Sequence, residues 1–258
     1  MAESEALISK PIKTILVSQP QPTDASAQPF HAIEARYGVK IDFKPFIKVE
    51  GLSYSRWRKN NVELPNYTAI VFVNKHAIEH FFALCTEMRF KVSEDLKYFC
   101  LNEQIALYLQ RFVNYRKRKV HFGERSLVEM KELLTKHRKK EKFLVLTSTT
   151  GSKELTDFFK EGKFNYSLAS IFETIGANVK DEIVIDNYDM FVFFTPIGVH
   201  SLFENFPDFQ QNNRPIICFS PGAQTAATEH HLEFIIPESL ALPAAIAEHL
   251  AKTNSAVL

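Results

Sequence analysis

Two hydrophobic patterns alternate along this chain, and their clearest junction lies at Tyr188–Phe203. Met190 to Phe194 is a continuous apolar run rich in β-favouring residues, as expected of a strand buried on both faces. Thr195 and Pro196 end it, a hydroxyl residue suited to cap a helix and a proline suited to its first position. Val199, Leu202, Phe203 and Phe206 then continue at helical spacing. The stretch predicts strand, tight turn and helix. Such a turn offers backbone N–H groups and the positive end of a helix dipole, where an anion can bind.

The same unit occurs earlier. Tyr67 to Phe82 aligns with Tyr188 to Phe203 without a gap, at an offset of 121, and Asn74 stands where Thr195 stands. A second pair, Tyr98–Gln104 and Ile217–Ala223, aligns at an offset of 119. Two pairs at nearly one offset predict a duplicated α/β domain.

Between these anchors the pattern predicts further elements. Residues 1–12 are expected to form a flexible N-terminal tail, followed by a strand at Thr14–Val17, a helix at Phe30–Tyr37 closed by Gly38, and an extended stretch at Val39–Val49. Pro45 marks that stretch as an edge or a crossing between domains. Strands follow at Ala69–Val73, Lys97–Leu101, Val120–Phe122 and Phe143–Leu146. They alternate with helices at Ala77–Thr86, Glu103–Phe112, Ser126–Lys136 and from about Lys153. Ile171–Thr174 reads as extended. Strands at Met190–Phe194, Pro215–Phe219 and Phe234–Ile236 and helices after Thr195, at Gln224–His230 and at Pro243–Ala251 complete the chain. Alternation of this kind implies parallel pairing with right-handed crossovers. The opening strand–helix–strand has no continuation before the middle block completes its own sheet, so residues 48–172 read as an insertion. The fold class is α/β: two similar parallel-sheet lobes joined by a two-stranded hinge. The first, discontinuous lobe is 13–47 plus 175–258, the second 48–172, and a cleft is expected between them.

Composition narrows the function classes. At 258 residues the chain suits two small domains. A net charge of +1 gives no global field for nucleic acid or membrane. No apolar stretch approaches the roughly 20 residues that span a bilayer, and the acidic start Met1–Glu5 lacks a hydrophobic signal core. Cys85, Cys100 and Cys218 form no CxxC pattern and lie in apolar runs, which reads as buried free thiols in a cytoplasmic protein.

Several chemical candidates carry little. His230-His231 has no Cys, Asp or Glu at ligand spacing, so surface residues are expected and no metal. The basic runs Arg116–Lys119 and His137–Lys140 fall between predicted elements with little aromatic interleaving, and read as solvated loops rather than a nucleic-acid site. Thr147–Lys153 lacks the glycine spacing of a phosphate loop but is hydroxyl-rich at a helix start. What remains is a set of strand-to-helix turns: Val73–His76, Leu101–Gln104, Thr147–Lys153, Thr195–Gly198 and Ser220–Ala223. In parallel sheets ligands bind outside the carboxyl ends of strands. These turns are either ordinary helix caps or a grip on a long acidic ligand.

In order and spacing these turns resemble those of the uroporphyrinogen-III synthase family, over essentially residues 14–250. The family's Phe-Thr-Ser-Pro-x-Ala-Val-like turn is similar to Phe72–Ile78, and its Phe-Phe-Ser-Pro-Ser-Gly-Val/Leu turn to Phe193–Val199. Its Ile-Gly-Pro-Thr-Thr-Ala segment is similar to Phe219–Gln224, its Thr-Pro-x-Ala-Leu helix start to Leu242–Ile246, and its Val-Tyr-x-Thr crossing strand to Ile171–Thr174. The resemblance implies a monomeric, cofactor-free enzyme acting on hydroxymethylbilane, a linear tetrapyrrole with eight carboxylates. The family expels the hydroxyl as water, passes through a spiro intermediate, inverts ring D and closes the macrocycle. Carried over residue by residue, the resemblance implies substrate binding by Asn74, Lys75, Asn102, Gln104, Phe172, Thr195, Ile197, Gly198, Ser220, Gly222 and Ala223.

The chain also departs from the family. The tyrosine thought to assist hydroxyl loss is Phe172, and the paired threonines are Gly222 and Ala223. Asn74 and Lys75 replace Ser-Pro, and Gln104 replaces a threonine. Tyr166, Thr174 and bound water are the substitutes considered for acid assistance, and no catalytic residue is assigned. These departures motivate the alternative of a non-catalytic tetrapyrrole-binding or sensor module. A nucleic-acid protein using the basic runs is the third reading.

Overall fold

A computed structural model describes residues 11–114, 116–123 and 127–254. Residues 1–10 of the expected tail, and Ser126 at the expected start of a helix, lie outside the described residues. Two compact units divide the chain. One is discontinuous, with its first piece ending at Lys48 and its second resuming at Ile175; the other is Val49–Thr174.

In chain order the elements are β1 (Thr14–Val17), α1 (Asp24–Tyr37), β2 (Lys40–Phe43), β3 (Ile47–Gly51), α2 (Tyr54–Trp57), β4 (Ala69–Phe72), α3 (Lys75–Glu87), β5 (Lys97–Cys100), α4 (Glu103–Leu109), β6 (Val120–Phe122) and α5 (Leu127–His137). Then come β7 (Phe143–Ser148), α6 (Lys153–Glu161), β8 (Tyr166–Gly176), β9 (Met190–Phe193), α7 (Pro196–Asn205), β10 (Ile216–Cys218), α8 (Pro221–Glu229) and α9 (Leu242–Asn254). The discontinuous unit carries a sheet of order β10-β9-β1-β2, with all three pairings parallel. The sheet of the continuous unit has the order β3-β8-β7-β4-β5-β6, and the run from β8 to β6 is parallel. The chain crosses from one unit to the other within β3 and returns within β8.

The continuous apolar runs follow from burial on both faces. In β9, Phe191 and Phe193 pack into one core and Met190 and Val192 into another. In β4, Ile70 and Phe72 face one core and Ala69 and Val71 the other. The alternation is the same 121 residues apart. The two units share a further feature. A 3-10 turn, Leu64–Asn66, followed by Tyr67 leads into β4, and a second, Ile185–Asn187, followed by Tyr188 leads into β9. The tyrosine hydroxyls donate to Ser167 Oγ at 2.8 Å and Asp42 Oδ2 at 3.1 Å, respectively.

Several boundaries differ from expectation. α1 begins six residues before Phe30, because its first turn, Asp24-Ala25-Ser26-Ala27-Gln28, is too polar to show helical periodicity. Pro45 splits the expected stretch Val39–Val49 into β2 and β3. Ile171–Thr174 is part of an 11-residue strand, β8. The expected strand Phe234–Ile236 reduces to one bridge, Ile217 to Ile235. α8 starts at Pro221, since Ser220 caps it and proline fits the first helical position.

Candidate functional site

Five strand-to-helix turns close in the same way. At each, a short polar side chain accepts a hydrogen bond from the backbone N–H three residues on. Asn74 Oδ1 accepts from Ala77 at 2.8 Å, Asn102 Oδ1 from Ile105 at 3.1 Å and Ser152 Oγ from Leu155 at 3.4 Å. Thr195 Oγ1 accepts from Gly198 at 3.1 Å and Ser220 Oγ from Ala223 at 3.0 Å. A helix leaves its first N–H groups without internal partners, and each cap takes one of them. This fixes which donors are left. The N–H groups of Gly198 and Ala223 are engaged by their caps, and both residues are buried. Pro196 and Pro221 have no N–H. At these two turns the first-turn donors left are those of Ile197 and Gly222.

In that unit the two turns touch. β9 and β10 are parallel neighbours, so α7 and α8 start side by side. A Cβ placed on Gly222 would lie 3.1 Å from Pro196 Cδ. A side chain at 222 would require the Pro196 ring to give by a few tenths of an ångström. Further along α7 and α8, His200 Nδ1 and His230 Nε2 lie 3.0 Å apart, and the His230 ring stacks on Phe203 with centroids 4.0 Å apart. His230 is thus half-buried rather than a surface residue, while His231 is exposed. Burial and the neighbouring His200 lower the pKa of His230. Among the described residues no group of three or more His, Cys, Asp or Glu is arranged to hold a metal.

The turns of the continuous unit follow β4, β5 and β7, and the connections of its sheet reverse direction between β4 and β7. Such a switch point opens a crevice at the carboxyl ends of the strands. Lys75 and Gln104 are exposed, and Asn74 and Asn102 are half-buried behind their caps. Lys75 Nζ sits 5.4 Å over the Tyr108 ring. The Tyr108 hydroxyl donates to Glu79, which also lies 3.4 Å from His76 Nδ1. That hydrogen bond raises the pKa of Tyr108. After β7, Ser148 and Thr150 hydroxyls pair at 2.8 Å, and Gly151 takes a φ of 67°, which glycine adopts without strain.

Phe172 is a core residue, 6% exposed. Its carbonyl accepts from Thr149 N–H at 2.9 Å, tying β8 to the turn after β7. Its ring lies 6.1 Å from His76 and 6.2 Å from His80. Burial, and then His76, lower the pKa of His80, with Glu79 and Glu50 opposing. His76 closes the turn Val73–His76, whereas Glu79 and Tyr108 lie outside the turns that the sequence marks. Their signal was available in part, since His76, Glu79 and His80 are three and four apart on one helix face. Tyr166 opens β8 and pairs with Phe143 at the start of β7, which puts it at the amino end of the sheet, away from the turns. Thr174 lies beyond Phe172 on the carboxyl side of β8.

Three cations of the basic runs have local partners. Arg116 bonds Glu94 at 3.0 Å, Lys119 bonds Asp95 at 2.9 Å, and Arg138 donates to the Gly162 carbonyl at 2.9 Å.

Comparison with known proteins gives the fold a precedent. The chain is similar to the crystal structure of uroporphyrinogen-III synthetase from Helicobacter pylori, with a TM-score of 0.53 and 14% identity over 93% of this chain and 100% of that one. A mutant uroporphyrinogen III synthase from the extremely thermophilic bacterium Thermus thermophilus matches with a TM-score of 0.44 and 9% identity over 95% of this chain and 99% of that one. No curated protein matches the chain in sequence. The family model for uroporphyrinogen-III synthase HemD matches residues 30–247, and by that match the chain belongs to the uroporphyrinogen-III synthase family.

Proposed function

We propose that the chain is a uroporphyrinogen-III synthase: it takes hydroxymethylbilane, releases the hydroxyl as water, inverts ring D and closes the macrocycle, with no cofactor. The observation that carries the reading is the capped strand-to-helix turn, repeated at the carboxyl ends of both parallel sheets in a member of this family. In this reading the pieces 13–47 and 175–258 form one lobe and 48–172 the other. Each lobe offers its own positions for substrate carboxylates. One supplies the N–H groups of Ile197 and Gly222, with Thr195 and Ser220 fixing their direction. The other supplies Lys75 and the helix starts at Asn74, Asn102 and Gln104. An ammonium near a desolvated carboxylate forms a charge-assisted hydrogen bond, about twice as strong as a neutral one. Catalysis then comes chiefly from holding a flexible chain in one geometry and stabilising charge as the hydroxyl departs. Gly198, Phe172 and Ala223 contribute packing and cap geometry in this scheme, since their side chains or N–H groups are already engaged.

A second reading has its own observation. Phe172 is buried and has no proton to give, so a tetrapyrrole-binding module without turnover would show the same turns. One experiment separates the two: enzymatically made hydroxymethylbilane is supplied and the type I and type III uroporphyrinogens are resolved by chromatography. Type III product above the uncatalysed background supports the synthase. Type I product alone, with tight substrate binding, establishes the module. Lys75→Ala is expected to lower kcat/KM about tenfold or more, in line with about 1.5–3 kcal/mol for a hydrogen bond to a charged group, and to leave the unfolding midpoint nearly unchanged because the side chain is exposed.

A further inference from the structure

The continuous unit contains a cavity of about 760 Å³, within the range of small-molecule sites. It lies at the far end of the sheet from the capped turns. Leu96 and Tyr98 at the start of β5 and Val120 at the start of β6 line it, whereas Asn74 and Asn102 follow the last residues of β4 and β5. Its floor is apolar: Phe82, Cys85, Leu96, Tyr98, Phe112 and Val120. Phe82 and Phe112 stack with centroids 5.0 Å apart and planes 15° apart, and Phe112 is 37% exposed. Two aromatic rings left open to a cavity form a platform for another flat or linear apolar body.

The rim is cationic. Arg89, Lys91, Arg111, Arg116 and Lys119 line the cavity, with Glu94 as the one carboxylate among them. Arg116 is neutralised by Glu94 at 3.0 Å and Lys119 by Asp95 at 2.9 Å, and these bonds hold the loop before β5 as one wall. Arg111 stacks its guanidinium 5.0 Å over the Tyr108 ring. Among the described residues no carboxylate lies within ion-pair distance of Arg89 or Lys91. Arg89 also holds a φ of 53°, a left-handed conformation that costs a side-chain-bearing residue energy.

We infer that this cavity is a second ligand site, for a small amphipathic carboxylate whose acyl or aryl body lies on the Phe82–Phe112 pair and whose carboxylate meets Arg89 and Lys91. Apolar burial supplies the affinity, and the lining cations without a carboxylate partner select the charge. The site is separate from the turns of the proposed reaction and stands whether or not that reaction occurs.

Decanoate and decylamine, equal in apolar length and opposite in charge, test the inference on the full chain. Decanoate should raise the thermal unfolding temperature in a saturable way and displace 8-anilinonaphthalene-1-sulfonate fluorescence; decylamine should do neither. Arg89→Gly combined with Lys91→Gln should weaken decanoate at least tenfold. Glycine relaxes the left-handed backbone at 89, so a well-folded variant is expected. Phe112→Ser should weaken binding similarly. Absence of saturable decanoate binding, equal effects of the two amphiphiles, or undiminished binding in the double variant would each overturn the inference.

Discussion

Gly222 shows how a single position can be fixed by a neighbour rather than by its own helix. Glycine inside a helix costs roughly 0.5–1 kcal/mol relative to alanine, yet here a Cβ would come within 3.1 Å of the rigid Pro196 ring. Gly222→Thr, which restores the residue the family resemblance places there, should therefore destabilise by about 1–3 kcal/mol, the usual cost of overpacking. A urea midpoint measurement reads it directly. Phe172 makes the complementary case. Its ring fills a slot beside His76 and His80, so Phe172→Tyr adds only a hydroxyl to a contact already made. If the proposed reaction is limited by hydroxyl loss, that variant raises kcat for type III product, measured by isomer-resolved chromatography. The departure at 172 was legible in the sequence. The reason for Gly222 was not, because a close approach between two helix starts is a tertiary fact.

The elements repeat one solution: an apolar strand, a capping side chain and a helix whose second residue keeps a spare donor. The cap residues Asn74, Asn102, Thr195 and Ser220 were all within the turns picked out from sequence, since Ser, Thr and Asn accept readily from the third helical N–H. One register was misaligned. An offset of 119 sets Asn102 against Pro221, whereas the caps pair Asn102 with Ser220, one residue earlier. At an offset of 118 the strand ends Cys100 and Cys218 align as well, each two residues before its cap. Asn102→Ala and Ser220→Ala should each cost about 1 kcal/mol of stability, with a larger loss of kcat/KM than of stability if the turns bind substrate.

β6 and α5 meet through a second kind of contact. His121 and His137 lie with ring centroids 4.7 Å apart, and His121 Nε2 and His137 Nδ1 are buried without hydrogen-bond partners among the described residues. Burial is the first cause lowering both pKa values, followed by His137 and Lys97 for His121 and by Lys97 for His137, while Glu141 opposes in each case. Below the ordinary value of 6.5 the unfolded chain then binds more protons than the folded one. From this pair, stability should be flat between about pH 7 and 8 and fall as pH drops below about 6.5. Urea midpoints at pH 8, 7, 6 and 5 check this, and the His121→Phe/His137→Leu variant should show a shallower fall.

At the scale of the molecule, both units bury apolar residues on both faces of a parallel sheet, and this much was legible from continuous apolar runs alternating with helical periods. Less legible were the polar first turn of α1 and the length of β8, since neither carries a clean period. The cysteines fit the cores. Cys85, Cys100 and Cys218 are free and buried, and burial pushes their thiols up to about 12, 12 and 11. A thiol-reactive chromophore at pH 8 should therefore react negligibly with the folded protein and titrate three thiols in denaturant.

The discontinuous unit sets an order on biosynthesis. Thr14 opens β1, and the Asp189 carboxylate that accepts from its N–H lies 175 residues downstream. A nascent chain emerging at roughly 5–20 residues per second would hold the apolar strand Thr14–Val17 without its β9 neighbour for roughly 10–35 s. During that interval the whole of Val49–Thr174 has left the ribosome and can fold on its own. The N-terminal strand, rather than any part of the later-made sheet, is where a chaperone would be needed most.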